Sequence, residues 1–319
     1  MTTLTPVTRR NFLRTAIETA MLGGIAISST LSASDKTVDL RQYEPELGDR
    51  LWMWGHGPNS TRGLYNIPEG HGIDMADAIK YMGIPNVCVT RWLGLPAPDE
   101  NNPDAPFDYY IPQFRDTKRV AWSIVDGAPQ PYEQKKKWAF ELSQKMPNLT
   151  ALFLDDFYNS GEPVILANGT RVTPANLTLE QLETLQKEVA TLPRKTDISV
   201  VLYSNQLSPG IKPHIDLCDV VSFWTWHATD LVKLETNFSE YRKIIPDKRT
   251  LLGVYMWDFG NMKPITPELM KIQLDFALRK FKEGEIEGMI FHCTPLCDMG
   301  LDAVEYSRQW IAENRDTTR

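Results

Sequence analysis

Leu152-Phe153-Leu154-Asp155-Asp156-Phe157-Tyr158 decides how this chain is read. With Ala151 in front, four apolar residues lead into two adjacent carboxyl groups, and two aromatic rings follow. A short apolar run closed by polar residues is the pattern of a buried strand. Carboxyl groups at the end of such a strand cost free energy unless they are paired, hydrogen-bonded or put to use. One could cap the next helix and the other tie down a loop. Neighbouring strand residues point to opposite faces, so a regular strand presents only one of the two acids to any given site. Phe153 shares a face with Asp155. Which face is inward stays open, with Asp156 favoured because terminal strand residues often turn toward the open end.

Outward from that stretch, similar apolar runs recur at 51–55, 86–92, 120–126, 149–156, 198–205, 220–227, 251–258 and 288–294. Helical patterns fall between most of them. Asp74 can cap 75–82, and Trp138 and Leu142 give an apolar face to 132–146. Thr178-Leu179-Glu180-Gln181 is a capping box opening a helix to about residue 192. Further helices are expected at 211–217 (short), 229–245, from Thr266-Pro267-Glu268 with Pro at its favoured first position, and at 301–314. Strand–helix alternation implies parallel strands covered on both faces. Eight such units match an α/β fold, a single (β/α)8 TIM barrel. An open doubly wound sheet fits less well, because no Gly-rich phosphate turn follows an early strand. The connections 93–110 and 159–175 are long, as lids and substrate walls are.

In such barrels chemistry sits where the strands end. The ends here carry Trp54 and His56; Arg91 and Trp92; Asp126; Asp155, Asp156 and Tyr158; Tyr203 and Asn205; Trp224, Trp226 and His227; Tyr255, Trp257 and Asp258; and His292. Flat rings stack on the C–H faces of sugars, and acids, amides, His and Arg bind the hydroxyls. Any one Trp more often fills a core, but Trp54, Trp92, Trp224, Trp226 and Trp257 gather at one end. An oligo- or polysaccharide is therefore the expected partner, met by all of these side chains. Glycosidic hydrolysis needs a proton donor and a second carboxylate, here Asp155 or Asp156 with Asp258. Asp126 is the reserve, although it more often caps a loop before Gly127-Ala128-Pro129.

The layout resembles the glycoside-hydrolase barrels, many of which place catalytic acids after strands four and seven. The large clan with that arrangement has Asn-Glu after strand four and Glu after strand seven, where this chain has Asp. Chitinase-like barrels end a longer acidic motif in Glu, where this chain has Phe157. The α-galactosidase-like barrels pair a strand-four Asp with a strand-six Asp, where this chain has Trp226-His227. The resemblance covers the barrel and the position of its acids, and implies a glycosidase. Two other functions stay open: a non-catalytic carbohydrate-binding barrel, and a metal-dependent hydrolase or isomerase using His56, His227 and His292 with Asp155 or Asp156. The first strand lacks a His-x-His pair, so neither metal nor other cofactor is expected. Gly-x-Ser-x-Gly is also absent.

The chain opens Thr8-Arg9-Arg10-Asn11-Phe12-Leu13-Arg14, then turns moderately apolar from Ala16 to Ile27. This resembles the twin-arginine export signal, with Ser32-Ala33-Ser34 as a cleavage site before Asp35. It implies a signal peptide at 1–34, a catalytic barrel at 35–319, and a periplasmic or extracellular destination. The apolar run is interrupted by Glu18 and too short for a good membrane span, so no stable anchor is expected. The 319 residues carry a formal charge of −7, and losing the leader's three Arg and one Glu moves it to −9. Such a balance argues against nucleic acid as a partner. Of four Cys, Cys88 and Cys218 read as packed apolar groups, while Cys293-Thr294-Pro295-Leu296-Cys297 could close a small disulfide loop.

Overall fold

The apolar runs become eight strands: β1 (Leu51–Gly55), β2 (Asn86–Val89), β3 (Arg119–Val125), β4 (Leu149–Leu154), β5 (Asp197–Tyr203), β6 (Val220–Trp224), β7 (Arg249–Tyr255) and β8 (Gly288–His292). The computed structural model describes residues 45–61, 63–69 and 72–319. The expected signal peptide at 1–34 lies outside them. The strands pair in parallel and close on themselves in the order β1-β8-β7-β6-β5-β4-β3-β2. Every residue of β1 and β6 is buried, as strands covered on both faces require. The expected TIM barrel is the fold.

Helices follow every strand: α1 (Met75–Met82), α2 (Tyr110–Gln113), α3 (Tyr132–Lys145), α4 (Leu179–Val189), α5 (Lys212–Asp216), α6 (Leu234–Ile244), α7 (Pro267–Lys282) and α8 (Asp302–Asn314). Their starts are built as the residues suggest. The Asp74 carboxylate accepts from Ala76 N at 2.9 Å, and Thr178 with Gln181 forms the reciprocal capping box of α4. The expected helix at 229–245 divides into a 3₁₀ segment, Ala228–Lys233, and α6. The connection 93–110 ends as α2 begins, and 159–175 carries a two-stranded hairpin, Val164–Ile165 with Arg171–Val172.

Several expected strands end early, and this matters for the site. Strand β7 stops at Tyr255, and Trp257–Asp258 pairs instead with Lys263–Pro264 in an antiparallel hairpin. The barrel interior below the rim is filled by aromatic rings. Trp54 meets Phe153 and Trp224 edge-on, with ring centroids 5.1 and 5.3 Å apart. Gly253 on β7 makes room for this packing, because a Cβ there would lie 2.0 Å from Trp224 Cδ2. At the opposite end Arg249 bridges Asp197 and Glu287 at 2.8 and 2.7 Å, tying β7 to the starts of β5 and β8. The four Cys are buried free thiols; Cys293 and Cys297 flank a 3₁₀ turn, Thr294–Leu296, rather than forming a disulfide.

Candidate active site

Inward parity is set by Trp54, Phe153 and Trp224, so Asp155, two residues beyond Phe153, points into the open end of the barrel. Asp156 should then point away. It does not, because its backbone enters the left-handed region at φ +44°, a conformation that disfavours a residue with a Cβ. Three hydrogen bonds hold it there. Its own N–H donates to Asp155 Oδ1 at 2.9 Å, its carbonyl accepts from Asn176 Nδ2 at 2.9 Å, and its Oδ1 accepts from Tyr203 Oη at 2.8 Å. Backbone strain of this kind persists where the surroundings over-determine it, often at functional sites. The outcome is two adjacent carboxyl groups lining one pocket at the open end of the barrel.

The walls are aromatic. Strand register places their residues side by side: Trp54 opposite His292, His292 opposite Tyr255, and Tyr203 opposite Trp224. Trp92 and Trp226 complete the expected part of the lining, together with His56. Other lining residues were not expected from sequence. Thr61, Leu64 and Tyr65 come from the connection after β1, Phe259 from the β7 hairpin, and Cys293 from the end of β8. Tyr65 could have been suspected only as one more aromatic; its placement depends on Trp257, whose Nε1–H donates to Tyr65 O at 3.1 Å. Trp257 thus supports the wall from behind and does not line the pocket.

Burial, the neighbouring Asp156 and then Asp126 raise the Asp155 carboxyl well above the usual carboxylate range; the Asp156 N–H and Lys135 oppose them only in part. Asp155 therefore tends to keep its proton. His56 is pushed the other way, down to about 4, chiefly by burial. Its ring is fixed at both nitrogens: Nδ1 donates to Thr90 O at 3.2 Å, and Nε2 accepts from Trp54 Nε1 at 3.1 Å. Burial and then His56 lower His292 as well. Tyr203 and Tyr255 are both raised, first by burial. Burial thus favours the uncharged form of each: the two imidazoles, the two phenols and the Asp155 carboxyl.

Other expected site residues are not brought to the pocket. Asp258, expected as the second acid, is buried, and its carboxylate accepts from Ala228 N, Asn261 N and Asn261 Nδ2 at 3.3, 3.1 and 2.8 Å. With β7 ended at Tyr255, it ties the loop after β6 to its own hairpin. Asp126 follows β3, beyond a register shift between Ser123 and Val125, on the strand whose Trp122 packs outward against Phe107 and Tyr110. Its carboxylate meets Lys135 of α3 at 2.6 Å and accepts from Ser123 Oγ at 2.7 Å and Ala128 N at 3.0 Å. Arg91 is likewise turned to the helix side, over the rings of Phe107 and Trp138. Tyr158 donates to Ile211 O at 2.9 Å, Asn205 lies in a 3₁₀ turn, and exposed His227 precedes Ala228–Lys233.

No protein-family model matches the sequence, and no curated protein does. Solved structures do resemble the fold. A chitinase from Ipomoea carnea superposes with a TM-score of 0.51 at 9% identity, over 81% of this chain and 98% of its own. Concanavalin B gives 0.50 at 11% identity, over 82% and 99%. Active domain 2 of the Pyrococcus furiosus chitinase gives 0.49 at 16%, over 84% and 97%. At these identities the likeness to the first two establishes a shared barrel and no more. Among the described residues no helix is long and apolar enough to cross a membrane.

Proposed function

We propose that this chain is an exported carbohydrate-active enzyme, a glycoside hydrolase whose reacting groups are Asp155 and Asp156. The observation that carries the proposal is the pair itself: a buried carboxyl that tends to keep its proton beside an exposed one held by Tyr203, in an aromatic-walled pocket. Asp155 donates its proton to the departing glycosidic oxygen, the role for which a raised carboxyl is suited. Asp156 faces the positive charge that develops on the sugar ring and accepts a proton from the incoming water. Tyr203 keeps Asp156 in place. Trp92, Trp226 and Tyr65 offer faces for the sugar, and His56 and His292 offer groups for its hydroxyls. Barrels shaped like this one include proteins described as chitinases, so N-acetylglucosamine oligomers head the candidate substrates.

The test is release of reducing ends from chito-oligosaccharides and other oligosaccharides by the purified protein. Asp155→Asn and Asp156→Asn should each lower the rate by about 10²–10⁴-fold while the circular dichroism spectrum stays native. Cleavage that survives both substitutions would overturn the proposal. A second function, carbohydrate binding without cleavage, is favoured by the withdrawal of Asp258, which leaves one acid pair and no carboxylate from the β7 end. Sugar binding by the unmodified protein with no cleavage of any oligosaccharide tested would decide for it. Export to the periplasm or beyond rests on residues 8–14, and replacing Arg9 and Arg10 by Lys should retain the protein in the cytoplasm.

A further inference from the structure

We propose that His56, His292 and Cys293, on the pocket floor, form a binding site for one zinc-like transition-metal ion. The three come from neighbouring strands. His56 follows β1, His292 ends β8, and β1 and β8 pair with Trp54 opposite His292. One ligand atom from each residue lies within 4.8 Å of the other two. Of the strand-end His read from sequence, His56 and His292 converge, while His227 does not join them. The third donor is a thiol that sequence spacing had suggested for a disulfide.

Independent observations point the same way. His292 Nδ1 is buried with no hydrogen-bond partner, a costly state for a ring nitrogen. Its ring is boxed by Phe259 and Tyr255, with centroids 4.8 and 5.1 Å away, so it cannot easily swing out to water. His56 already makes the contact that commonly orients a metal-bound imidazole: Nδ1–H donates to a backbone carbonyl, that of Thr90, leaving Nε2 inward. Its backbone is clamped by Thr294 Oγ1, which accepts from His56 N at 3.0 Å and donates to His56 O at 2.9 Å. The same clamp joins the loop after β1 to the residue next to Cys293.

Two imidazoles and a thiolate suit zinc, with a fourth position left for water or a substrate hydroxyl from the pocket. Zinc-to-ligand distances of about 2.0–2.3 Å require the three donor atoms to draw together by about 1 Å. Binding displaces one proton, from Cys293 Sγ to solvent. The ion must also take the Nε2 lone pair that now accepts from Trp54 Nε1–H. Trp54 is therefore the built-in competitor, and its removal should tighten binding. None of this depends on Asp155 or Asp156, so the site stands or falls apart from the hydrolase proposal.

The full chain, stripped with a chelator and dialysed, is titrated with cobalt(II) and zinc(II). One equivalent of either metal should bind, cobalt with the near-ultraviolet thiolate-to-cobalt absorption band. Cys293→Ser should abolish that band and lower zinc affinity by at least about 10-fold; Cys297→Ser should keep both. Trp54→Phe should bind zinc more tightly. Failure of the unmodified protein to bind an equivalent, or a band that follows Cys297 instead of Cys293, would overturn the site. Zinc affinity unchanged or weakened in a folded Trp54→Phe variant would remove His56 Nε2 from the ligand set and overturn it equally.

Discussion

Tyr203 Oη donates to Asp156 Oδ1 at 2.8 Å, across the gap between the ends of β5 and β4. The bond fixes the outer carboxylate of the pair, which its own backbone alone would not hold, since φ is +44° there. The Tyr203 backbone is itself anchored, with its N–H donating to Gln206 Oε1 at 3.0 Å. Removing the hydroxyl should free Asp156 without disturbing the barrel. Tyr203→Phe is expected to lower kcat by about 10-fold, in proportion to one hydrogen bond to a charged group. KM should change less, and steady-state kinetics on a cleaved oligosaccharide would show the division.

Asp155 should leave a mark on pH dependence. Its raised carboxyl faces Asp156 on its own strand, Asp126 after β3, Lys135 of α3, Cys88 of β2, Tyr203 of β5 and Tyr255 of β7. Between the unfolded carboxyl value of about 3.9 and the raised folded value, the folded chain holds a proton that the unfolded chain has lost. Stability from this group is then full at low pH and falls as pH rises through the folded value. Asp155→Asn removes that slope, so its melting temperature should decline less than the unmodified protein's above about pH 5. Parallel melting curves for the two proteins from pH 5 to 9 would contradict the assignment. Activity should also fall on the alkaline side, as the donor proton is lost.

The barrel was legible because strands buried on both faces leave a repeated apolar signature, and because Asp74, Thr178 and Thr266 mark helix starts locally. The site was legible only as far as alternation held. Alternation puts Asp155 beside Phe153 inside the barrel. It breaks on β3, whose register shifts between Ser123 and Val125, so Asp126 is taken to Lys135 by its ion pair and not by the parity of Trp122. It fails at Asp156, where one left-handed residue reverses the direction, and no local pattern such as Gly announces that turn. It fails again after Tyr255, where β7 ends and a hairpin carries Trp257 and Asp258 out of the series. The role of Cys293 is hidden for a related reason: its spacing from Cys297 is visible in sequence, while its approach to His56 is a contact across the barrel seam.

The Asp126–Lys135 pair gives a stability prediction that also separates Asp126 from the reacting acids. The two side chains are 0% and 7% exposed, at 2.6 Å. Lys135→Met would leave a buried carboxylate without its cation, at a cost of about 3–5 kcal/mol. For a chain of this size that corresponds to a drop in melting temperature on the order of 10 °C. Below the lowered transition the folded variant should keep its activity to within a few-fold, because neither side chain lines the pocket. A thermal melt and a rate measured at low temperature check both halves.

Asp258→Asn is the substitution on which the sequence expectation and the geometry disagree most. A second reacting carboxylate cannot be neutralised without loss of several orders of magnitude in rate. A carboxylate that collects Ala228 N, Asn261 N and Asn261 Nδ2 does a different task, holding the loop after β6 against the hairpin after β7. Asn retains one carbonyl acceptor for two of those donors, so the loops should loosen without detaching. The expected result is a modest loss of stability, about 1–2 kcal/mol, with more than a tenth of the activity retained. That hairpin carries Phe259 of the wall and, through Trp257, steadies Tyr65, so KM should rise more than kcat falls. Rates measured at saturating and at low oligosaccharide would show this split; a collapse of kcat to the level of Asp155→Asn would restore Asp258 as a reacting group.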